Sequence, residues 1–281
     1  MTKLCEIALT AAFVLCPAGF APAQSSAQLS AKKQAIADLK QIAYAGDAKA
    51  QVQLGLIYLT GDGVPKDDPE AMKWLRMAAD QDNPVGERYL AEMYFKGRGA
   101  PADNMEAAKW LRMAADQGDV QSQHNLAALY TQGLGVPRNL KEAANWMRKA
   151  ADQNLADAQY ALGVFYETGQ GVIADPIEAA KWYRRAVDQD YVPAMNSLAL
   201  LMANSINTSI RNTQAAVELA QKAAATRNNP EYLDTLAAAY FANGQTDMAI
   251  ETEEKALAKD PENDLYKKAM ARYLGAKHSN R

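Results

Sequence analysis

Apolar positions return along this chain with helical spacing. Leu54, Ile57 and Tyr58 fall at i, i+3 and i+4 and so share one face of a helix. The pair Gly61 and Gly63 closes that helix, because glycine takes up positive φ without steric cost. A second stripe, Ala71, Trp74, Leu75 and Ala78, predicts the buried face of a second helix, its alanines allowing close approach and its indole filling the space between. This helix is expected to begin at Asp67, with Glu70 three residues on in a capping-box arrangement.

The helix-turn-helix pattern then repeats every 36 residues. Trp74, Trp110, Trp146 and Trp182 are all the tryptophans of the chain, and Tyr58, Tyr94, Tyr130 and Tyr166 keep the same step. So do Leu54, Leu90, Leu126, Leu162 and Leu198, and the alanines Ala78, Ala114, Ala150 and Ala186. The glycines recur as Gly61/Gly63, Gly97/Gly99, Gly133/Gly135 and Gly169/Gly171, and the caps as Asp67, Asp103, Asn139 and Asp175. A fixed period of about 20–50 residues marks stacked units, none of which buries its apolar face alone.

The pattern Ala-x-x-x-Leu-Gly-x-x-Tyr, Gly-x-Gly-Val, Ala-x-x-Trp and Ala-Ala resembles the Sel1-like repeat, a relative of the tetratricopeptide repeat. The first unit shows it as Ala50, Leu54, Gly55, Tyr58, Gly61, Gly63, Val64, Ala71, Trp74, Ala78 and Ala79. The resemblance implies an all-α, right-handed α-solenoid of antiparallel helix pairs. Four repeats are expected over 46–81, 82–117, 118–153 and 154–189, and a degenerate fifth over 190–227, where Met202 replaces the tyrosine and Ser205 and Asn207 the glycines. Residues 228–263 resemble a tetratricopeptide repeat through Leu233, Leu236, Ala237, Tyr240, Gly244, Ala249, Ala256 and Pro261, with Glu253 at a position usually aromatic. A capping helix is expected within 24–45, from Ala31 to Tyr44, and another within 264–281, with Leu265, Ala269 and Tyr273 as its apolar face.

The chain's start has its own composition. Lys3 precedes an apolar run from Ile7 to Leu15, then Pro17 and the small-residue site Ala21-Pro22-Ala23, so residues 1–23 read as a cleaved signal peptide. Both cysteines, Cys5 and Cys16, lie in that segment; the exported chain would hold no disulfide, and no integral membrane span is expected in it. A net charge of −3 over 281 residues gives no basic footprint for nucleic acid.

Candidate chemistry is sparse. The Gly-x-Gly pairs follow helices instead of strands and do not continue into a phosphate-binding loop. The arginines Arg76, Arg112, Arg148 and Arg184 each precede an aspartate by four residues, at Asp80, Asp116, Asp152 and Asp188, the spacing of an intrahelical ion pair. His124 and His278 are the only histidines, far apart in the chain, so no metal site, cofactor or catalytic residue is assigned. Ser30 and Lys33 form a lone Ser-x-x-Lys without the other elements of penicillin-recognising enzymes, and Ser30 is read as a helix cap.

The repeats differ where they flank the fixed leucine. By resemblance to tetratricopeptide units, those columns line the concave side: Lys49, Val85, Gln121, Asp157 and Pro193; Val52, Arg88, His124, Tyr160 and Asn196; Gln53, Tyr89, Asn125, Ala161 and Ser197. Of these, Arg88, Tyr89, His124, Asn125, Tyr160 and Asn196 offer aromatic faces, a cation and amides for gripping a peptide. The expectation is an exported, periplasmic, non-enzymatic adaptor for a protein or peptide. Its alternatives are a protein that binds or hydrolyses a cell-wall component, and a secreted effector that meets host proteins.

Overall fold

The computed structural model describes residues 26–279, so the expected signal segment 1–23 lies outside it. The described residues form fourteen α-helices and no strand, an all-α array of helical repeats. They divide into two compact units between Ala150 and Ala151. The first unit holds α1 (Ser26–Tyr44), α2 (Ala48–Thr60), α3 (Asp68–Ala79), α4 (Pro84–Lys96), α5 (Asn104–Asp116), α6 (Val120–Gln132) and α7 (Leu140–Asp152), whose last residues cross the boundary. The second holds α8 (Ala156–Thr168), α9 (Pro176–Val187), α10 (Val192–Asn204), α11 (Thr213–Thr226), α12 (Pro230–Ala242), α13 (Thr246–Lys259) and α14 (Asp264–Ser279). Because α1 starts at Ser26, Ser30 sits inside the helix and caps nothing; it and Lys33 are exposed on its surface.

Each second helix starts at the expected cap. The carboxylate of Asp67 accepts from the Glu70 N–H at 2.9 Å, and Asp103, Asn139 and Asp175 repeat the bond to Glu106, Glu142 and Glu178. The reciprocal half of the capping box is absent at these four caps, for a physical reason. The cap N–H groups of Asp67, Asp103, Asn139 and Asp175 donate instead to the carbonyls of Tyr58, Tyr94, Tyr130 and Tyr166, at 3.0, 2.9, 2.9 and 2.8 Å. That bond ties the two helices of a pair across their turn and leaves the glutamates to other donors, such as Trp110 Nε1 on Glu106. The fifth repeat keeps it, from Asn212 to Met202, although its glycines are gone.

The first glycine of each pair, at Gly61, Gly97, Gly133 and Gly169, is a left-handed helix cap. The second has another duty besides its turn. A Cβ on Gly99 would stand 2.7 Å from the Asp68 carbonyl oxygen, and one on Gly135 would stand 1.8 Å from that of Asn104. Each therefore lies directly on the first turn of the second helix one repeat earlier, a seam that admits no side chain.

Between the helices the tryptophans are core. Trp74, Trp110, Trp146 and Trp182 are all buried, and Tyr44 of α1 packs edge-on to Trp74 at 4.8 Å. The ion pairs expected within the second helices give way, at Arg76 and Arg112, to bonds that reach into the next repeat: their guanidinium groups donate to the hydroxyls of Tyr94 and Tyr130. A phenol buried or half-buried between helices demands a partner more strongly than an exposed aspartate does, so the long side chain is drawn inward.

A column of polar side chains, Gln51, Glu87, Gln123 and Gln159, is buried as well. In the first unit Gln51 donates to the Ala43 carbonyl at 3.0 Å and accepts from Gln81 at 2.7 Å; Gln123 donates to Ala115 at 3.1 Å. In the second, Gln159 donates to Ala151 at 3.2 Å and accepts from Gln189 at 2.7 Å. Each amide thus satisfies a helix-end carbonyl and binds a neighbouring helix.

The second unit closes with α12 to α14. Glu253 is wholly buried, neither of its oxygens accepting a hydrogen bond, and burial, with Asp234 beside it, pushes its carboxyl up to about 8. The apolar face of α14 differs from expectation: Tyr266 and Tyr273 are buried, while Leu265 is half exposed. The larger ring reaches the core from the neighbouring position, and the tilted stack of Tyr273 on Phe241, 4.7 Å apart, fixes that rotation.

Candidate functional site

The candidate surface is the exposed side of the first helices of the repeats, and its columns behave differently in the two units. Within the first unit α2 packs against α4; within the second, α10 packs against α12. Their fixed leucines face inward, with Leu54, Leu90, Leu126 and Leu162 at 0% exposure, so the positions flanking each leucine are set along the edge of the core.

In the first unit, Arg88 is engaged within the protein. Its Nε lies 3.3 Å from the Asp119 carboxylate and its guanidinium stacks over Tyr89 at 4.5 Å. Asp119 is the N-cap of α6, accepting from the Ser122 N–H at 2.7 Å, so the arginine is anchored to a helix start. Asn125 is buried and its Oδ1 accepts from Gln121 at 3.1 Å; it does not stand free on the surface as the sequence suggested. Tyr89 and His124 are partly exposed.

In the second unit the columns gather an aromatic cluster. The Tyr160 ring lies 5.6 Å from that of Tyr191 and 5.8 Å from that of Tyr183. Tyr191 donates its hydroxyl to Asp157 at 2.6 Å, and Tyr183 donates to Glu167 at 2.5 Å. Burial first, then these carboxylates, drive the Tyr183 and Tyr191 hydroxyls well above the ordinary tyrosine range. Such phenols hold their protons and act as donors, not as nucleophiles. Asn196 is buried and its Oδ1 has no donor.

Of the six expected binding residues, Tyr89, His124 and Tyr160 keep partly exposed surface, Arg88 is committed to Asp119, and Asn125 and Asn196 are buried. Tyr183 and Tyr191 were missed. Their signal lay in the repeat columns: Tyr183 replaces Leu75, Leu111 and Met147, while Tyr191 stands where Asp47, Asn83 and Asp119 cap their helices. Among the described residues no group of three or more His, Cys, Asp or Glu is placed to hold a metal ion, and no helix is long and apolar enough to cross a membrane.

Comparison with protein families matches the Sel1 repeat model five times, over residues 48–83, 84–119, 120–155, 156–191 and 192–225. Comparison with curated proteins found no match. Among solved structures, a Sel1 repeat protein from Oxalobacter formigenes is 28% identical, with a TM-score of 0.62 over 73% of this chain and 85% of that one. The protective antigen c5321 of uropathogenic Escherichia coli is 29% identical with a TM-score of 0.56; the match covers 80% of this chain and only 56% of the antigen. YrrB, described as a tetratricopeptide repeat protein with an unusual peptide-binding site, shares the fold at 17% identity and a TM-score of 0.52, over 75% of this chain and 99% of its own.

Proposed function

Since the chain belongs to the Sel1 repeat family, whose fold generally serves as a scaffold for protein interaction, we propose that it is a non-enzymatic adaptor that grips an extended protein segment along its first helices. These helices line the concave side in tetratricopeptide solenoids. One observation carries the reading. The columns flanking the fixed leucine change identity from repeat to repeat yet keep partly exposed aromatic and imidazole groups at Tyr89, His124 and Tyr160, while the tryptophan, tyrosine and glycine columns stay constant through the first four repeats. Invariant positions hold the array together, and varied ones give it a partner. YrrB's peptide-binding site is a precedent on the same fold.

The adaptor is proposed to work after export, in the periplasm, on the strength of residues 1–23. Fractionation of producing cells tests this: recovery from the medium favours a secreted effector, and recovery from the cytoplasm overturns export. Photo-crosslinking tests the binding face. A photoreactive residue at Tyr89 or Tyr160 should capture a partner that the same residue at exposed Lys73, on the second helix α3, does not. Capture only from Lys73 would overturn the choice of face.

A further inference from the structure

The first-helix face of the second unit carries a charge pattern that narrows what it can hold. Leu162, Leu198 and Leu236 set the register, so the flanking columns read Asp157, Pro193 and Glu231; Tyr160, Asn196 and Asp234; Ala161, Ser197 and Thr235. No lysine or arginine occurs among these nine positions, whereas the same columns of the first unit contain Lys49 and Arg88.

The carboxylates beside the aromatic cluster are held by phenols. Tyr191 bonds Asp157 and Tyr183 bonds Glu167, and a neutral hydroxyl orients a carboxylate without cancelling its charge. The hydroxyl of Tyr160 is pushed upward by burial and then by the charges of Glu231 and Glu167, against a hydrogen bond with Ser197. Glu231 on α12 therefore bears on the same ring that packs against Tyr191. Arg227 is the basic group felt by Tyr191 and Tyr232, and it hydrogen-bonds Tyr232. Tyr160 and Tyr191 are partly exposed, and Asp157 and Glu231 are exposed. Asn196, 7% exposed and in the column between Tyr160 and Asp234, has a buried amide oxygen that no donor in the protein meets.

Electron-rich ring faces with carboxylates on either side are the complement of a cation with N–H groups. We infer that this face receives a lysine or arginine side chain from an extended segment of the protein partner, the cation resting against Tyr160 and Tyr191 between Asp157 and Glu231. The inference rests on the reading that the first helices form the binding face, and it adds the chemistry of the segment bound there.

The test uses the full chain and a fluorescein-labelled Gly/Ser peptide carrying lysines, beside versions bearing glutamine or glutamate, with binding read by anisotropy. The lysine peptide should bind about tenfold more tightly than the glutamine peptide, and lose about fivefold or more with Tyr160→Leu and with Glu231→Gln. Tyr160→Leu keeps apolar bulk, circular dichroism checks its fold, and Glu231→Gln alters an exposed residue. Glu254→Gln removes the same charge from an exposed position on α13 and should leave binding unchanged. No preference for lysine, indifference to both site variants, or an equal loss with Glu254→Gln would overturn the inference. A photoreactive residue at Ser197 separates its failure from that of the adaptor reading. A partner captured there through an acidic or neutral stretch sinks the cation site and leaves the adaptor standing; capture of none sinks the adaptor itself.

Discussion

Gln117 donates its side-chain amide to both carboxylate oxygens of Glu87, at 3.0 and 2.9 Å. Glu87 is the one acid in a column where Gln51, Gln123 and Gln159 each donate to a helix-end carbonyl, a bond that an ionised carboxylate has no hydrogen to make. Burial, reinforced by Asp82 and Asp119 against the Gln117 bond, pushes the Glu87 carboxyl up to about 7 from an ordinary 4.5.

Folding therefore holds a proton on Glu87 that the unfolded chain releases near 4.5. Its contribution is complete below that value, declines as pH rises and is gone above about 7. Glu87→Gln should restore the neutral amide, remove this part of the pH dependence and stabilise the protein at pH 8 by on the order of 2 kcal/mol. Urea titrations from pH 5 to 8 measure it. Glu253, raised to about 8, slopes the same way and should respond to Glu253→Gln separately. An unchanged pH profile in Glu87→Gln would contradict a protonated Glu87.

Gly135→Ala should be among the most damaging single changes, costing about 3 kcal/mol or more, because a methyl group has nowhere to go beside a backbone carbonyl. Gly118 provides the comparison: its φ is +94° but its surroundings are open, so Gly118→Ala should cost only about 1 kcal/mol of backbone strain. Thermal unfolding of the two variants reads the difference, and equal losses would mean that the seam is not tightly closed.

The contact between Gly163 and Tyr183 is expected to be reciprocal. A Cβ at Gly163 would meet the Tyr183 ring at 2.5 Å, so Gly163→Ala should cost about 1–3 kcal/mol. Tyr183→Leu should recover most of that loss, since Ala91 and Leu111 occupy the same two columns in an earlier repeat. Additive losses in the double variant would show that the ring is not what excludes the methyl group.

Tyr94→Phe removes the acceptor of the Arg76 bond and should lower stability by about 1 kcal/mol. A double-mutant cycle with Arg76→Ala isolates the pair. Zero coupling would return Arg76 to the role of a solvated surface charge.

The pattern of one repeat carried most of the fold. Tryptophan, leucine and glycine columns state directly which faces must be covered, and the burial of all four indoles follows from that. Local spacing misled where a distant group competed. Arg76 and Asp80 have the right separation for a pair, but the hydroxyl of Tyr94 lies in the next repeat, where helical periodicity does not look. Glu70 has the right offset to complete a capping box, yet the carbonyl of Tyr58 takes the N–H first. The columns proposed for binding were legible as variation, but exposure was not: Asn125 and Asn196 differ from their counterparts and are nonetheless buried. One signal went unused, the Gly46, Asp82, Gly118, Asn154 and Asp190 column, all at positive φ and all of residue types that tolerate it.

The second glycines bear on how an array of this kind is inherited. With Gly99 resting on Asp68 and Gly135 on Asn104, backbone meets backbone at the joint between neighbours, and the joint fits one offset alone. A lineage could lengthen or shorten such a chain in whole steps, by duplicating or deleting complete modules, but not by fractions of one. Growth is quantised, and each new copy arrives with its coupling already cut to shape.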